Sequence, residues 1–349
     1  TQYFNFLGED PVLPDTPFDY KNIEFPAHVV QEVGIWSSSS FDPDDITDRI
    51  DNNIATLGRV LFYDKILSQD NTLSCASCHQ QKFAFADDVD FSKGINETLT
   101  TRNSPNLNDI EWAIVGQNVP IIFFPPDLFN DHFLFWDGRT PTLDSLALQP
   151  VLNQDELAGD LSVIIGKMNE TNYYPGLFQK AYGNSNITEE KMATAIAQFV
   201  RSMISFESKF DKAAEDDFEI FTESEKRGQE MFNNDCAFCH IPPHFGSTPA
   251  NNGLDEFPED PGMAGWFTDM PFFTEGAFKS PSLRNIEVTG PYMHDGRFET
   301  LEEVIDFYSE EIQPAEASFF QWIQGPDFEG FDYSDQDKAD IIAFLNTLT

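Results

Sequence analysis

Cys75-Ala-Ser-Cys78-His79 and Cys236-Ala-Phe-Cys239-His240 contain all four cysteines of this 349-residue chain. Both read C-x-x-C-H, the signature for covalent haem attachment. Two thiols at this spacing can add to the two vinyl groups of one porphyrin, and the adjacent histidine then reaches the iron. A redox C-x-x-C would not need the histidine twice, and a zinc site would need paired ligands at other spacings. The sequence therefore predicts two c-type haems, with Cys75, Cys78, Cys236 and Cys239 holding the cofactors and His79 and His240 on the irons. Such attachment takes place outside the cytoplasm. The chain starts at Thr1 without a basic and apolar leader, consistent with a removed signal, so a periplasmic location is expected.

Around the two motifs the chain repeats itself. Leu57-Gly58-Arg59-Val60-Leu61-Phe62 precedes the first and Arg227-Gly228-Gln229-Glu230-Met231-Phe232 the second. Downstream, Ser104-Pro105-Asn106-Leu107 answers Ser280-Pro281-Ser282-Leu283, and Trp136-Asp137-Gly138-Arg139 answers His294-Asp295-Gly296-Arg297. The separations agree: His79 to Trp136 is 57 residues and His240 to His294 is 54. The fold class that follows is mostly α, with two cytochrome c-like units over 44–206 and 207–349, long loops and an extended N-terminal arm over 1–43. Apolar residues at helical spacing predict helices over 44–64, 188–213, 299–308 and 334–348. The Gly- and Pro-rich stretch 241–265 reads as loop.

The composition narrows the function. Sixty acidic against 20 basic residues give a formal charge of -40, which excludes nucleic acid as a partner. Such a surface would steer basic partners towards it; a general adaptation for solubility is the equally available reading. No apolar run is long enough for a transmembrane helix.

The halves differ in one informative way. Tyr308 lies 14 residues after His294, whereas the position 14 after Trp136 is Pro150. If this position faces each haem, the second iron gains a tyrosine ligand and the first stays open to an oxidant. Tyr308 as an ordinary core residue is the alternative. His244, four residues after the second motif, reads as a loop residue rather than a ligand, and His28 and His132 have no motif around them. The clusters Phe123-Phe124 and Phe319-Phe320-Trp322 read as haem-pocket packing rather than partner surfaces.

Together with Arg102-Asn103-Ser104-Pro105, Phe135-Trp136-Asp137-Gly138-Arg139 and Pro291-Tyr292-Met293-His294-Asp295-Gly296, the paired motifs resemble the bacterial di-haem cytochrome c peroxidase family. That family includes MauG, which oxidises tryptophans of methylamine dehydrogenase. The resemblance covers about residues 44–349. It implies a peroxidatic haem on His79, an electron-transfer haem on His240 and Trp136 as the relay between them. It also implies Glu156 as distal acid–base, needed because cleaving the O–O bond moves a proton from one oxygen to the other. Asn103, with the carbonyls of Thr289 and Pro291, would bind calcium.

Two departures point to a MauG-like subgroup. Ile95 stands where standard members carry a histidine that caps the first haem, so this haem would be open without reductive activation. Tyr308 replaces the usual methionine ligand of the second, with Met293 as a rival. The resemblance implies reduction of hydrogen peroxide with electrons from a small cytochrome or cupredoxin, or, alternatively, MauG-like oxidation of a partner protein. A carrier that only passes electrons would have no use for an open iron.

Overall fold

The computed structural model describes residues 19–20, 50–110, 134–246, 249–268, 274–315 and 317–349. Apart from Asp19 and Tyr20, the 1–43 arm lies outside them, as do Phe123, Phe124, His28 and His132. Among the described residues the α-helices are α1 (Asn52–Tyr63), α2 (Cys75–Cys78), α3 (Leu143–Leu146), α4 (Gln149–Leu152), α5 (Leu161–Glu170), α6 (Tyr174–Tyr182), α7 (Glu189–Arg201), α8 (Lys209–Ala214), α9 (Glu223–Asp235), α10 (Leu301–Glu310), α11 (Phe319–Gln324) and α12 (Asp335–Asn346). The one described sheet is a two-stranded antiparallel pair, β1 (Pro249–Ala250) with β2 (Phe278–Lys279). None of the described helices is long and apolar enough to cross a membrane.

Capping sets where the helices begin. Asp51 accepts from the N–H groups of Asn53 and Ile54 and opens α1. Thr300 and Ser334 pair with Glu303 and Asp337 as capping boxes, which start α10 and α12 one residue later. The predicted helix over 188–213 is not continuous. It breaks after Arg201, and α8 restarts at Lys209 behind a capping box between Ser208 and Asp211. The break is held by local polar competition. Ser202 Oγ donates back to the Phe199 carbonyl at 2.6 Å, and Ser205 N–H donates to Asp109 Oδ1 at 2.9 Å.

The repeat seen in sequence is a repeat in packing. In the first half α1 crosses α7, and in the second α9 crosses α12. Each crossing is made at a glycine. A Cβ on Gly58 would lie 1.8 Å from the Ala195 carbonyl oxygen and 3.0 Å from Phe199 Cβ. One on Gly228 would lie 1.9 Å from the Asp340 carbonyl oxygen and 2.9 Å from Phe344 Cβ. Two apolar clusters form on these crossings, one drawing on residues between Tyr20 and Met203, the other on residues between Phe210 and Leu348.

Backbone bonds and ion pairs join the halves. Asn103 N–H donates to the His294 carbonyl at 2.7 Å, and Lys279 N–H to the Trp136 carbonyl at 2.7 Å. Arg102 takes both oxygens of Asp260, at 2.7 and 2.8 Å, and one of Asp137 at 2.6 Å.

Gly58→Ala and Gly228→Ala should each destabilise the protein by about 3 kcal/mol or more, since the overlap is with backbone and cannot be relieved by a rotamer. Gly166→Ala and Gly176→Ala, in helices with nothing within 4 Å of the added carbon, should be neutral or stabilising. Thermal melts of the four variants decide this, and equal melting temperatures would refute the crossing argument.

Candidate functional site

Each C-x-x-C-H histidine is aimed by one hydrogen bond. His79 Nδ1 lies 2.9 Å from the Phe85 carbonyl oxygen, and His240 Nδ1 lies 2.8 Å from that of Phe245. A carbonyl can only accept, so both imidazoles carry their proton on Nδ1 and present the lone pair of Nε2. Burial lowers the pKa of both rings, which keeps them neutral. The phenylalanines that offer these carbonyls have left-handed backbones, φ 63° and 56°. That geometry is unfavourable for residues with a Cβ, and its occurrence at both sites marks it as required.

No disulfide joins the four cysteines. Burial pushes the thiols of Cys75, Cys236 and Cys239 up to about 12 and that of Cys78 to about 11. A redox C-x-x-C needs the opposite shift. Among the described residues, no three His, Cys, Asp or Glu side chains converge as a metal cluster. The neutral, Nδ1-protonated histidines beside unpaired thiols suit haem c.

Beside the first motif lies a cavity of about 90 Å³. Cys75, Cys78 and His79 form part of its wall, and Phe62, Leu107, Leu143, Ile196 and Val200 make much of the rest apolar. Pro150, in α4, faces this space, as does Glu156, the one carboxyl among the described residues of the wall. Burial raises the Glu156 pKa, while the Asn153 amide, donating to Glu156 Oε1 at 2.7 Å, and the Arg139 charge act against it. The Glu156 backbone is fixed as well. Ile95 N–H donates to its carbonyl at 2.8 Å, and a Cβ on Gly94 would lie 1.9 Å from the Asp155 carbonyl oxygen. Ile95 itself is buried and stands next to a cavity-wall residue, Gly94.

Trp136 sits between the halves. Its indole Nε1 donates to the Asn103 carbonyl at 2.8 Å, while its own carbonyl accepts from Lys279. Asn103 is buried, with its amide Nδ2 on the Val89 carbonyl at 3.1 Å and its N–H on His294, three residues beyond Pro291. Thr289, also buried, belongs to the same segment.

In the second half, Tyr308 and Met293 come together. One amide, Asn252 Nδ2, donates to Tyr308 Oη at 3.1 Å and lies 3.7 Å from Met293 Sδ. Burial raises the Tyr308 pKa well above that of a free phenol; the Asn252 bond opposes this, and the nearby Cys239 and Cys236 thiols add to it. Tyr308 packs on Phe307 and Phe320 in a third apolar cluster, which also takes in Met293. Sequence reasoning missed both Asn252 and Asn153. Neither belongs to a repeated motif, and the only local hint is the turn-forming Asn251-Asn252-Gly253 run.

The aromatic cluster over 319–322 is divided. Phe320 is buried as expected, but Trp322 is exposed, so packing explains only part of it. His244 lies in a turn, as the loop reading expects, and is buried.

Comparison with known proteins gives the same picture. A family model described as di-haem cytochrome c peroxidase matches residues 52–219. The methylamine utilization protein MauG of Methylophilus methylotrophus is 29% identical over 88% of this chain and 86% of its own length. The cytochrome c551 peroxidase of Nitrosomonas europaea is 28% identical over 85% and 80%. The crystal structure of a MauG-like protein associated with microbial copper homeostasis superposes with a TM-score of 0.70 at 31% identity, covering 86% of this chain and 90% of that one. Likeness of this degree over 86% of the chain, in a protein with two equivalent C-x-x-C-H units, makes the chain a member of the di-haem cytochrome c peroxidase/MauG family.

Proposed function

We propose that the protein is a periplasmic di-haem peroxidase that reduces hydrogen peroxide to water with electrons from a small redox protein. The observation that carries this reading is the first cavity, which among the described residues faces a histidine and one half-buried carboxyl but offers proline where the second half offers tyrosine. Bound haem would supply the iron at which peroxide is reduced. Cys75 and Cys78 would anchor the first haem and Cys236 and Cys239 the second, with His79 and His240 as ligands and Tyr308 completing the second. Met293, on the same Asn252 amide, is the rival ligand. Glu156 takes the proton from the near peroxide oxygen and delivers it to the far one. Trp136, bonded to both halves, relays electrons. Residues 44–206 and 207–349 act as the two units, which the separate apolar clusters support. Asn103 and the carbonyls of Thr289 and Pro291 would hold calcium where the halves meet.

A second reading, oxidation of residues in a partner protein, is favoured by Tyr308. A phenolate ligand stabilises ferric iron and lowers its potential. Turnover of peroxide with reduced cytochrome c, without prior reduction of the enzyme, separates the two. Negligible turnover would favour the second.

The oxidised holoprotein should show one high-spin and one low-spin ferric signal in electron paramagnetic resonance. Ile95→His should convert the first to low spin, and two low-spin signals in the unaltered protein would sink the open-site assignment. Glu156→Gln should reduce turnover by about 10²-fold or more. Asn153→Ala removes the bond that holds the Glu156 pKa down, so that pKa should rise. The rate needs Glu156 ionised, so the rising limb of the pH–rate profile should move to higher pH. An unmoved limb would refute the role of Glu156 as base.

A further inference from the structure

At the edge of the second C-x-x-C-H motif a phenol and a carboxylate form a pair that has no part in the reaction proposed above. Tyr333 Oη donates to Asp235 Oδ2 at 2.8 Å, and Asp235 immediately precedes Cys236. Tyr333 itself immediately precedes Ser334, the N-cap of α12. The duplication shows that the scaffold does not require the pair. In the first half Ser74 precedes Cys75, and Ile187 precedes Thr188, the N-cap of the matching helix α7. Both members differ together, and a buried isoleucine is enough to close the core there.

Tyr333 also ends a run of aromatic contacts that starts at Tyr308. Ring centroids lie 6.1 Å apart from Tyr308 to Phe320, 5.7 Å from Phe320 to Phe331 and 5.4 Å from Phe331 to Tyr333, the last pair with planes at 13°. Backbone bonds hold the run in place. Phe331 N–H donates to the Tyr308 carbonyl at 3.1 Å, and Tyr333 N–H to Ser309 Oγ at 2.9 Å. Aromatic rings in contact offer an electron shorter steps than saturated side chains would. Burial, the neighbouring Cys236 thiol and the Asp235 bond hold the Tyr333 pKa far above that of a free phenol. The phenol therefore carries its proton, and to lose an electron it has to pass that proton to a base within hydrogen-bond reach. Asp235 Oδ2 already stands there.

We propose that Tyr333 is a redox-active residue that gives up one electron when hydrogen peroxide is reduced, with Asp235 accepting its phenolic proton. This rests on the peroxidase reading and adds to it a place on the protein where one oxidising equivalent is held. Reduction of one peroxide to two waters takes two electrons and two protons. Tyr333 supplies one electron through the Phe331, Phe320 and Tyr308 rings. Its O–H bond breaks, an O–H bond forms on Asp235, and a neutral phenoxyl radical remains. The other electron comes from haem iron, and both protons for the waters come from solvent. A later electron from the donor protein, with the proton returned by Asp235, restores the phenol.

The test uses the ferric holoprotein, mixed with hydrogen peroxide without a donor protein and frozen for electron paramagnetic resonance. An organic radical signal should appear, and ring-deuterated tyrosine incorporated throughout the protein should narrow it. Tyr333→Phe keeps the ring stack and should abolish the signal. Asp235→Asn keeps a hydrogen-bond acceptor of the same size but cannot take the proton, and should cut the radical yield by about tenfold or more. The resting haem spectra of both variants should match that of the unaltered protein. Tyr182→Phe should change nothing, because Tyr182, also half-buried, donates to the Lys191 carbonyl, which is no base. A signal that deuterated tyrosine leaves unnarrowed, or that persists at full yield in Tyr333→Phe, would overturn the proposal. Consumption of peroxide with no radical at all would do the same. Full yield in Asp235→Asn would overturn the part given to the carboxylate. Failure of the unaltered holoprotein to consume peroxide would instead refute the peroxidase reading.

Discussion

An imidazole that is to offer one nitrogen to a metal has to place the proton of the other, and in both halves the acceptor is a phenylalanine carbonyl five or six residues on. The carbonyl oxygen fixes the tautomer, the ring plane and the direction of the remaining lone pair together. Phe85 and Phe245 reach this position only through left-handed backbone, and the buried Phe245 ring is anchored against Phe232 and Phe344. Core packing and ligand orientation are thus linked in one short turn. A cavity under Phe344 would be felt first as a tilt of His240.

The two units share this device and diverge on the opposite side of the pocket. In the first, α4 brings Pro150 to the cavity and the following loop brings Glu156, held by Gly94, Ile95 and Asn153. In the second, a full helical turn carries Tyr308, and a loop amide from Asn252 meets it. A common scaffold therefore supports a pocket with a carboxyl in its wall on one side and a packed one with a tyrosine on the other. Function follows from the lining, not from the helices.

Much of this could be read from the residues. The cysteine–histidine spacing has few chemical meanings, and the doubled Gly58/Gly228 pattern reflected a steric need that recurs in space. Pro150 was identifiable because the repeat supplied a reference position. What escaped sequence reading were contacts without a repeat to expose them. Asn252 and Asn153 act through single hydrogen bonds made possible by loop geometry that no period encodes. The break between Arg201 and Ser208 escaped too, because the apolar spacing continues through it while the serines and Asp109 draw the backbone elsewhere. Phe319 and Trp322 looked like core by composition, yet only the helix rotation decides which of neighbouring aromatics faces inward.

Trp136 is held by peptide groups on both flanks, its indole by the Asn103 carbonyl and its own carbonyl by the Lys279 amide. Main-chain atoms are unaffected by most amino-acid replacements. The spacing of the halves at this tryptophan is thereby insulated from mutational drift, and the side chains around it can vary in polarity and charge without moving the indole.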